Sequence, residues 1–295
     1  MNRMDIQTQP ISLLYSAQME AVRKRYGNKL SANVFSSLYI WQEQMGLSVL
    51  LDDDFFAVKC AVRGADTWFF PCGSKQETAR FIRAGMQRRD FSLCYIGEQD
   101  AAWLKEAFPG QWELRREEAS DEYICRMAEL IGLRGGKFTG VRHKINRIER
   151  ENLLETRPLS DATVQDALAV VDEWAQQPHS VGCHQLAEGG VSHRALLERE
   201  SLGLDGVVVY ANGTPSAVFA GFPIDETTVD AQVGQCRNDA PRGFVYYAVR
   251  EYFRQNQGRY TYCNLEEDLG IPGIRLIKEA LRPESKNLMW TAVQV

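Results

Sequence analysis

Residues 206–235, GVVVYANGTPSAVFAGFPIDETTVDAQVGQ, carry the pattern that decides the fold. Gly206–Tyr210 is a β-branched run, Asn212-Gly213 is a tight hairpin signal, and Pro215–Pro223 reads as the returning strand. Thr227–Gln235 follows as a third strand. Toward the C-terminus the pattern predicts a helix from about Arg242 to Gln255 and a strand at Tyr260–Leu265. A helix at Ile274–Leu281 and a last strand at Asn287–Ala292 complete that half.

Upstream, the same order recurs. Leu47–Leu51, Phe55–Val62 and Thr67–Phe70 read as a meander, followed by a helix from about Lys75 to Arg89 and a strand at Phe91–Ile96. A helix at Glu98–Phe108 and strands at Trp112–Arg115 and Glu122–Arg126 come next, with Pro109-Gly110 as the helix stop. Residues 11–27 read as a leading helix, and Asn33–Trp41 as a buried helical turn. Between the halves, Leu130–Gly136 is a Gly-rich hinge. Thr139–Asn152 is a basic helix with an apolar stripe of Val141, Ile145 and Ile148. Ser160 or Asp161 can cap a helix over Ala162–Ala175. Each half thus runs three strands, helix, strand, helix, strand, an order that suits a mixed α/β (α+β) layer with helices covering a sheet. It is also the plan of the GNAT (acyl-CoA N-acyltransferase) fold. The expected organisation is two tandem GNAT-like domains, residues 1–155 ending in the basic helix and residues 156–295 carrying the active site.

Composition narrows the function classes. The 295 residues hold 34 basic and 39 acidic side chains, a formal charge of −5, which argues against a wholly basic nucleic-acid wrapper and against DNA as a partner. Hydrophobic residues make up 44%, enough for one or two cores. No apolar run approaches the roughly 20 residues of a membrane span, and the N-terminus lacks a secretory h-region. The seven cysteines are scattered and odd in number, the usage of a reducing compartment, so a cytoplasmic location is expected.

Three segments can carry chemistry. Leu133–Glu151, LRGGKFTGVRHKINRIERE, places Lys137, Arg142, His143 and Asn146 behind glycines that lead into a helix N-terminus. That end offers free N–H groups and a positive dipole to an anion. Arg142 and Asn146, four residues apart, share one face. The same residues read equally as the solvated face of a linker helix. Arg237–Gly243, RNDAPRG, brings Arg237, Arg242 and Gly243 to the start of the next helix. Pro241 removes one donor there, so the segment is either an anion loop or a simple capped helix start. Asn264–Gly270, NLEEDLG, follows a strand end, where such sheets bind ligands. Glu266 and Asp268 are the catalytic candidates, with Asn264, Gln232 and Gln235 lining the acceptor cleft; alternatively the carboxylates match the dipole of the following helix. His179, Cys183 and His184 form the best metal-like cluster, yet no paired zinc spacing exists, and no metal is expected. No GxSxG elbow or phosphate-binding P-loop occurs.

At these segments the chain resembles the C-terminal domain of bacterial phosphatidylglycerol lysyltransferases and their soluble relatives. The resemblance rests on Asp121, Tyr123, Leu130, Gly136-Lys137, Arg142 and Asn146. It is carried further by Ala240-Pro241-x-Gly243, Gly258-x-Tyr260, Asn264-Leu265 and the ending NLEEDLGIPGIRLIKEALRP. It implies a tandem GNAT fold and an acyl- or aminoacyl-transferase that moves an amino acid from charged tRNA, without a covalent intermediate, to a hydroxyl or amine acceptor. Aminoacyl-tRNA or an acyl-CoA would be the donor substrate, and a small molecule or a lipid headgroup the acceptor; no resident cofactor follows. Where the family carries a carboxylate–arginine pair on the third strand of its second repeat, this chain has Gln232 and Gln235, so the lipid substrate is not carried over. Those glutamines also leave open a non-catalytic ligand-binding module. An acetyl-CoA-dependent N-acetyltransferase is a third reading, weakened by Pro241 in the pyrophosphate loop.

Overall fold

The structure is a computed structural model and describes residues 6–176 and 184–295. In chain order the elements are α1 (Ser16–Arg25), α2 (Phe35–Met45), β1 (Leu47–Asp52), β2 (Phe55–Cys60), β3 (Asp66–Phe69) and β4 (Cys72–Gly73). Then come α3 (Lys75–Gly85), β5 (Phe91–Gly97), α4 (Glu98–Ala107), β6 (Trp112–Arg116), β7 (Glu122–Arg126), α5 (Met127–Gly132) and α6 (Thr139–Glu151). Next are β8 (Leu154–Pro158), α7 (Val164–Ala175), α8 (His184–Leu197), α9 (Arg199–Leu202), β9 (Asp205–Ala211), β10 (Thr214–Pro223) and β11 (Thr228–Cys236). The chain ends with α10 (Phe244–Gln255), β12 (Tyr262–Asn264), α11 (Pro272–Ala280), β13 (Ser285–Asn287) and β14 (Met289–Gln294).

Two compact units form: the chain up to Glu122 with Asn287–Val295, and Tyr123–Lys286. The division expected near residue 155 falls inside the second unit. The reason is packing: the apolar stripe of α6, Val141, Ile145 and Ile148, enters the second unit's core beside Tyr252 and Phe253. β8 then pairs with β9. Each unit is a mixed sheet with helices against it, so the chain is a mixed α/β protein. The first sheet runs β1-β2-β3-β5-β14-β6, with β4 beside β2. Its core gathers Trp68, Phe81, Phe91 and Leu104. The second runs β13-β7-β12-β11-β10-β9-β8.

Local chemistry explains the elements that position the site. Asn212 and Gly213 both adopt positive φ, 54° and 81°, as a tight turn between right-twisted strands requires, and they close the β9–β10 hairpin. Ser74 caps α3 by accepting from the Glu77 N–H at 3.1 Å. β10 and β11 shift register at Ala220/Gly221, where a Cβ on Gly221 would stand 2.2 Å from the Asp230 carbonyl oxygen. Only glycine fits that approach. Six elements escaped the sequence pattern: β4, α5, which begins before the expected hinge, β13, and the three that follow. β8 is an edge strand of mostly polar residues ending in Pro158. α8 has Gly189 and Gly190 in its middle and no sustained apolar stripe, and α9 is a single turn.

Candidate functional site

The site forms where two parallel strands of the second unit part. β11 and β12 pair only over Thr228–Asp230 and Tyr262–Asn264. β11 then continues beside β10 to Cys236, while β12 ends and the chain turns into the NLEEDLG loop. Beyond Asp230, β11 has no strand partner on its β12 side among the described residues, the place where such sheets take ligands. Gln232, Asn264 and Glu266, expected apart in sequence, meet here. The Gln232 amide donates to Asp230 at 3.0 Å and also to the Glu266 carboxylate. Asn264 is fully buried, and its side-chain oxygen accepts the Glu266 N–H at 2.8 Å.

Glu266 holds φ at +58°, Leu269 at +54° and Gly270 at +71°. Two non-glycine residues in the left-handed region cost on the order of 1 kcal/mol each, and persist only when the surroundings over-determine them. Asp268 supplies that determination. Its carboxylate, 0% exposed, accepts from the Tyr123 hydroxyl at 2.5 Å, from Arg275 at 2.7 and 3.1 Å, and from the Gly270 N–H at 2.8 Å. Burial pushes this carboxyl up, but Arg275, Tyr123 and Gly270 outweigh it and hold it below the ordinary value. Asp268, one of the two expected catalytic candidates, thus has both carboxylate oxygens engaged within the protein. It anchors the loop that presents Glu266.

Two charged groups at this opening were not singled out from the sequence. Lys278, on α11, donates to the Glu267 carbonyl. Burial lowers its ammonium pKa, opposed by the charges of Glu266, Glu267, Glu188 and Asp268. Its signal was available, since Arg275 and Lys278 lie in the quoted ending IPGIRLIKEALRP. Glu188, on α8, accepts from the Gln235 amide at 3.3 Å, while the Gln235 oxygen accepts the Gly234 N–H at 3.0 Å. Burial raises the Glu188 carboxyl. Nothing in its local sequence marks it, because its neighbours come from other elements.

The expected anion-binding residues do not gather in one place. Arg142 donates to the carbonyls of Leu133 and Gly135 and to the Thr139 hydroxyl, so it holds the Gly-rich hinge closed on itself. Lys137 pairs with Glu129 at 2.5 Å and lies in a surface groove of about 450 Å³ with Glu279, Arg282, Pro283 and Glu284. Arg237 is paired with Glu173 at 2.7 Å and Asp239 at 3.0 Å. Gly243, at φ +90°, caps α10, and Arg242 beside it is exposed. α6 comes against this helix start: Lys144 stacks over the Tyr246 ring at 4.6 Å, and Arg147 donates to the Arg242 carbonyl at 3.0 Å. His143 and Asn146 are exposed on α6. His179 and Cys183 lie outside the described residues. Among the described residues no group of His, Cys, Asp and Glu side chains is arranged to hold a metal ion, and no helix is long and apolar enough to cross a membrane. The described cysteines are free thiols, buried except for the partly exposed Cys236.

Comparison with known proteins follows this geometry. The family model described as phosphatidylglycerol lysyltransferase, C-terminal, matches residues 23–292. A conserved protein of unknown function from Bacteroides thetaiotaomicron is similar at 24% identity, over 99% of this chain and 100% of that one, with a TM-score of 0.88. The L-PGS of Bacillus licheniformis is similar at 16% identity, over 98% of this chain and 93% of that one, with a TM-score of 0.66. These likenesses show the fold. No curated protein matches the sequence.

Proposed function

The chain belongs to the phosphatidylglycerol lysyltransferase C-terminal family, and from that membership we propose that it is an aminoacyl-transferase drawing its amino acid from charged tRNA. The observation that carries the reading is the opening between β11 and β12, where Gln232, Gln235, Glu188, Glu266 and Lys278 converge from four separate segments on an unpaired strand edge. The donor's ester carbonyl would enter this opening, and strand-edge N–H groups would polarise it. The phosphates would lie toward the α10 N-terminus, where Lys144, Arg147 and Arg242 gather at the positive end of the helix dipole. Direct attack by a hydroxyl or amine suits the site. Among the described residues the buried cysteines have raised thiol pKa values, so none of them offers a thiolate nucleophile. Positioning of donor and acceptor would supply most of the rate.

The test is filter binding of aminoacylated tRNA, with acetyl-CoA as competitor, followed by transfer of the labelled amino acid to a panel of hydroxyl and amine acceptors. Saturable binding that falls steeply with salt and resists CoA supports the reading. Arg242→Ala and Lys144→Ala should each weaken binding and reduce the salt slope by about 1. Displacement by CoA would favour acetyl transfer instead. Binding without transfer to any acceptor would favour a ligand-binding module, the reading that the uncharged Gln232 and Gln235 support.

A further inference from the structure

The carboxylates at the strand opening are not equivalent. Asp268 is saturated by Tyr123, Arg275 and Gly270. Asp230 and Glu266 share the Gln232 amide, and Glu266 is further fixed through its backbone by Asn264. Glu188 stands apart. Its carboxylate reaches the opening from α8 and meets Gln235, which lies on β11 beyond Asp230, the last residue paired with β12. Gln235 is 1% exposed, and its oxygen is fixed by the Gly234 N–H, so its amide nitrogen faces Glu188 in one orientation. Among the described residues this 3.3 Å bond engages one carboxylate oxygen, and the second can take a substrate proton.

We propose that Glu188 is the general base of the transfer, the group that takes the proton from the attacking hydroxyl or amine. The assignment rests on the transfer reading above. As the acceptor oxygen or nitrogen bonds to the donor's carbonyl carbon, its proton passes to a Glu188 oxygen. The bond from that carbon to the tRNA 3′ oxygen breaks, and the leaving oxygen takes a proton from the Lys278 ammonium. Water then removes the proton from Glu188 and returns one to Lys278. Burial supports the pairing, because it raises the carboxyl of Glu188 and lowers the ammonium of Lys278, which brings both toward the pH at which they exchange protons. Lys278 and the Gln235 bond oppose the rise at Glu188, and Glu267 adds to it. On α7, which packs against α8, Asp172 lies 2.8 Å from the His193 ring, and Glu173 is paired with Arg237 at 2.7 Å, which compensates the Glu173 charge.

The experiment compares wild type, Glu188→Gln and Glu188→Asp in the transfer assay across pH, with carbon-13 titration of the glutamate carboxyls in parallel. Glu188→Gln should lower kcat by at least about 100-fold with acceptor KM within about twofold, and should abolish the acidic limb of kcat/KM. Glu188→Asp should lose about tenfold and keep that limb, which covers the case in which the glutamine variant fails to fold. The carboxyl signal missing from Glu188→Gln should titrate above the ordinary glutamate range. Wild-type turnover with an unimpaired Glu188→Gln overturns this assignment alone, as does a Glu188 signal in the ordinary range. A wild type that transfers nothing overturns the transfer reading and the assignment with it.

Discussion

Replacing Tyr123 with phenylalanine tests whether Asp268 anchors the site loop. The change removes one hydroxyl and leaves the ring, over which Lys286 sits at 4.0 Å, so packing is retained. What is lost is a 2.5 Å hydrogen bond to a carboxylate with 0% exposure. Hydrogen bonds to charged groups contribute about 1.5–3 kcal/mol. Arg275 remains on the same oxygen, which places the expected loss near the middle of that range, about 2 kcal/mol. For unfolding of a unit the size of Tyr123–Lys286 that is a fall in Tm of roughly 4–8 °C. The pH dependence follows from the direction of the Asp268 shift. Its folded-state pKa lies below the ordinary 3.8, so its contribution is complete above that value and is lost as pH falls through the lower one. The Tyr123→Phe deficit should therefore be full at pH 7 and shrink on the acid side of about pH 4. Urea unfolding followed by circular dichroism at a series of pH values measures it. A cycle with Asp268→Asn isolates the coupling. A variant within about 0.5 kcal/mol of wild type at pH 7, or a deficit that does not shrink in acid, would refute the anchoring argument.

Other perturbations probe separate links. Gly221→Ala drives a Cβ to 2.2 Å from the Asp230 carbonyl oxygen and should destabilise by about 3 kcal/mol by forcing β10 from β11; an unchanged Tm would contradict the close approach. Ile148→Ala removes a fully buried contact of α6 with the second core and should cost about 2–5 kcal/mol in urea unfolding, whereas a loss under 1 kcal/mol would mean that the helix is a peripheral linker. Cys125 and Cys263 face each other across β7 and β12, and burial pushes the Cys125 thiol up to about 12. Both should resist thiol reagents at pH 8 until the protein unfolds, and rapid labelling of the native protein at either would show that this sheet opens readily.

Much of this molecule is legible in local sequence, because some interactions span only a few residues. The Asn-Gly turn and its flanking apolar runs specify the β9–β10 hairpin, since that turn and its right-handed twist are properties of adjacent residues. The stripe on α6 specifies which face is buried. The opening between β11 and β12 sits where the strand order places it, and Gln232, Asn264 and Glu266 do meet there. Tertiary structure alone decided which strand pairs with which edge. β14 inserts between β5 and β6 of the first sheet, and β7 leaves for the second. Any alternating segment can satisfy any open edge, and the choice rests on contacts far apart in sequence. The surroundings of the carboxylates were set in the same way. Asp268 meets Tyr123 and Arg275, and Glu188 meets Gln235 near Lys278, partners that come from three separate elements, β7, β11 and α11. A carboxylate's proton affinity is set by burial and neighbouring charge, and neither is written in the residues beside it.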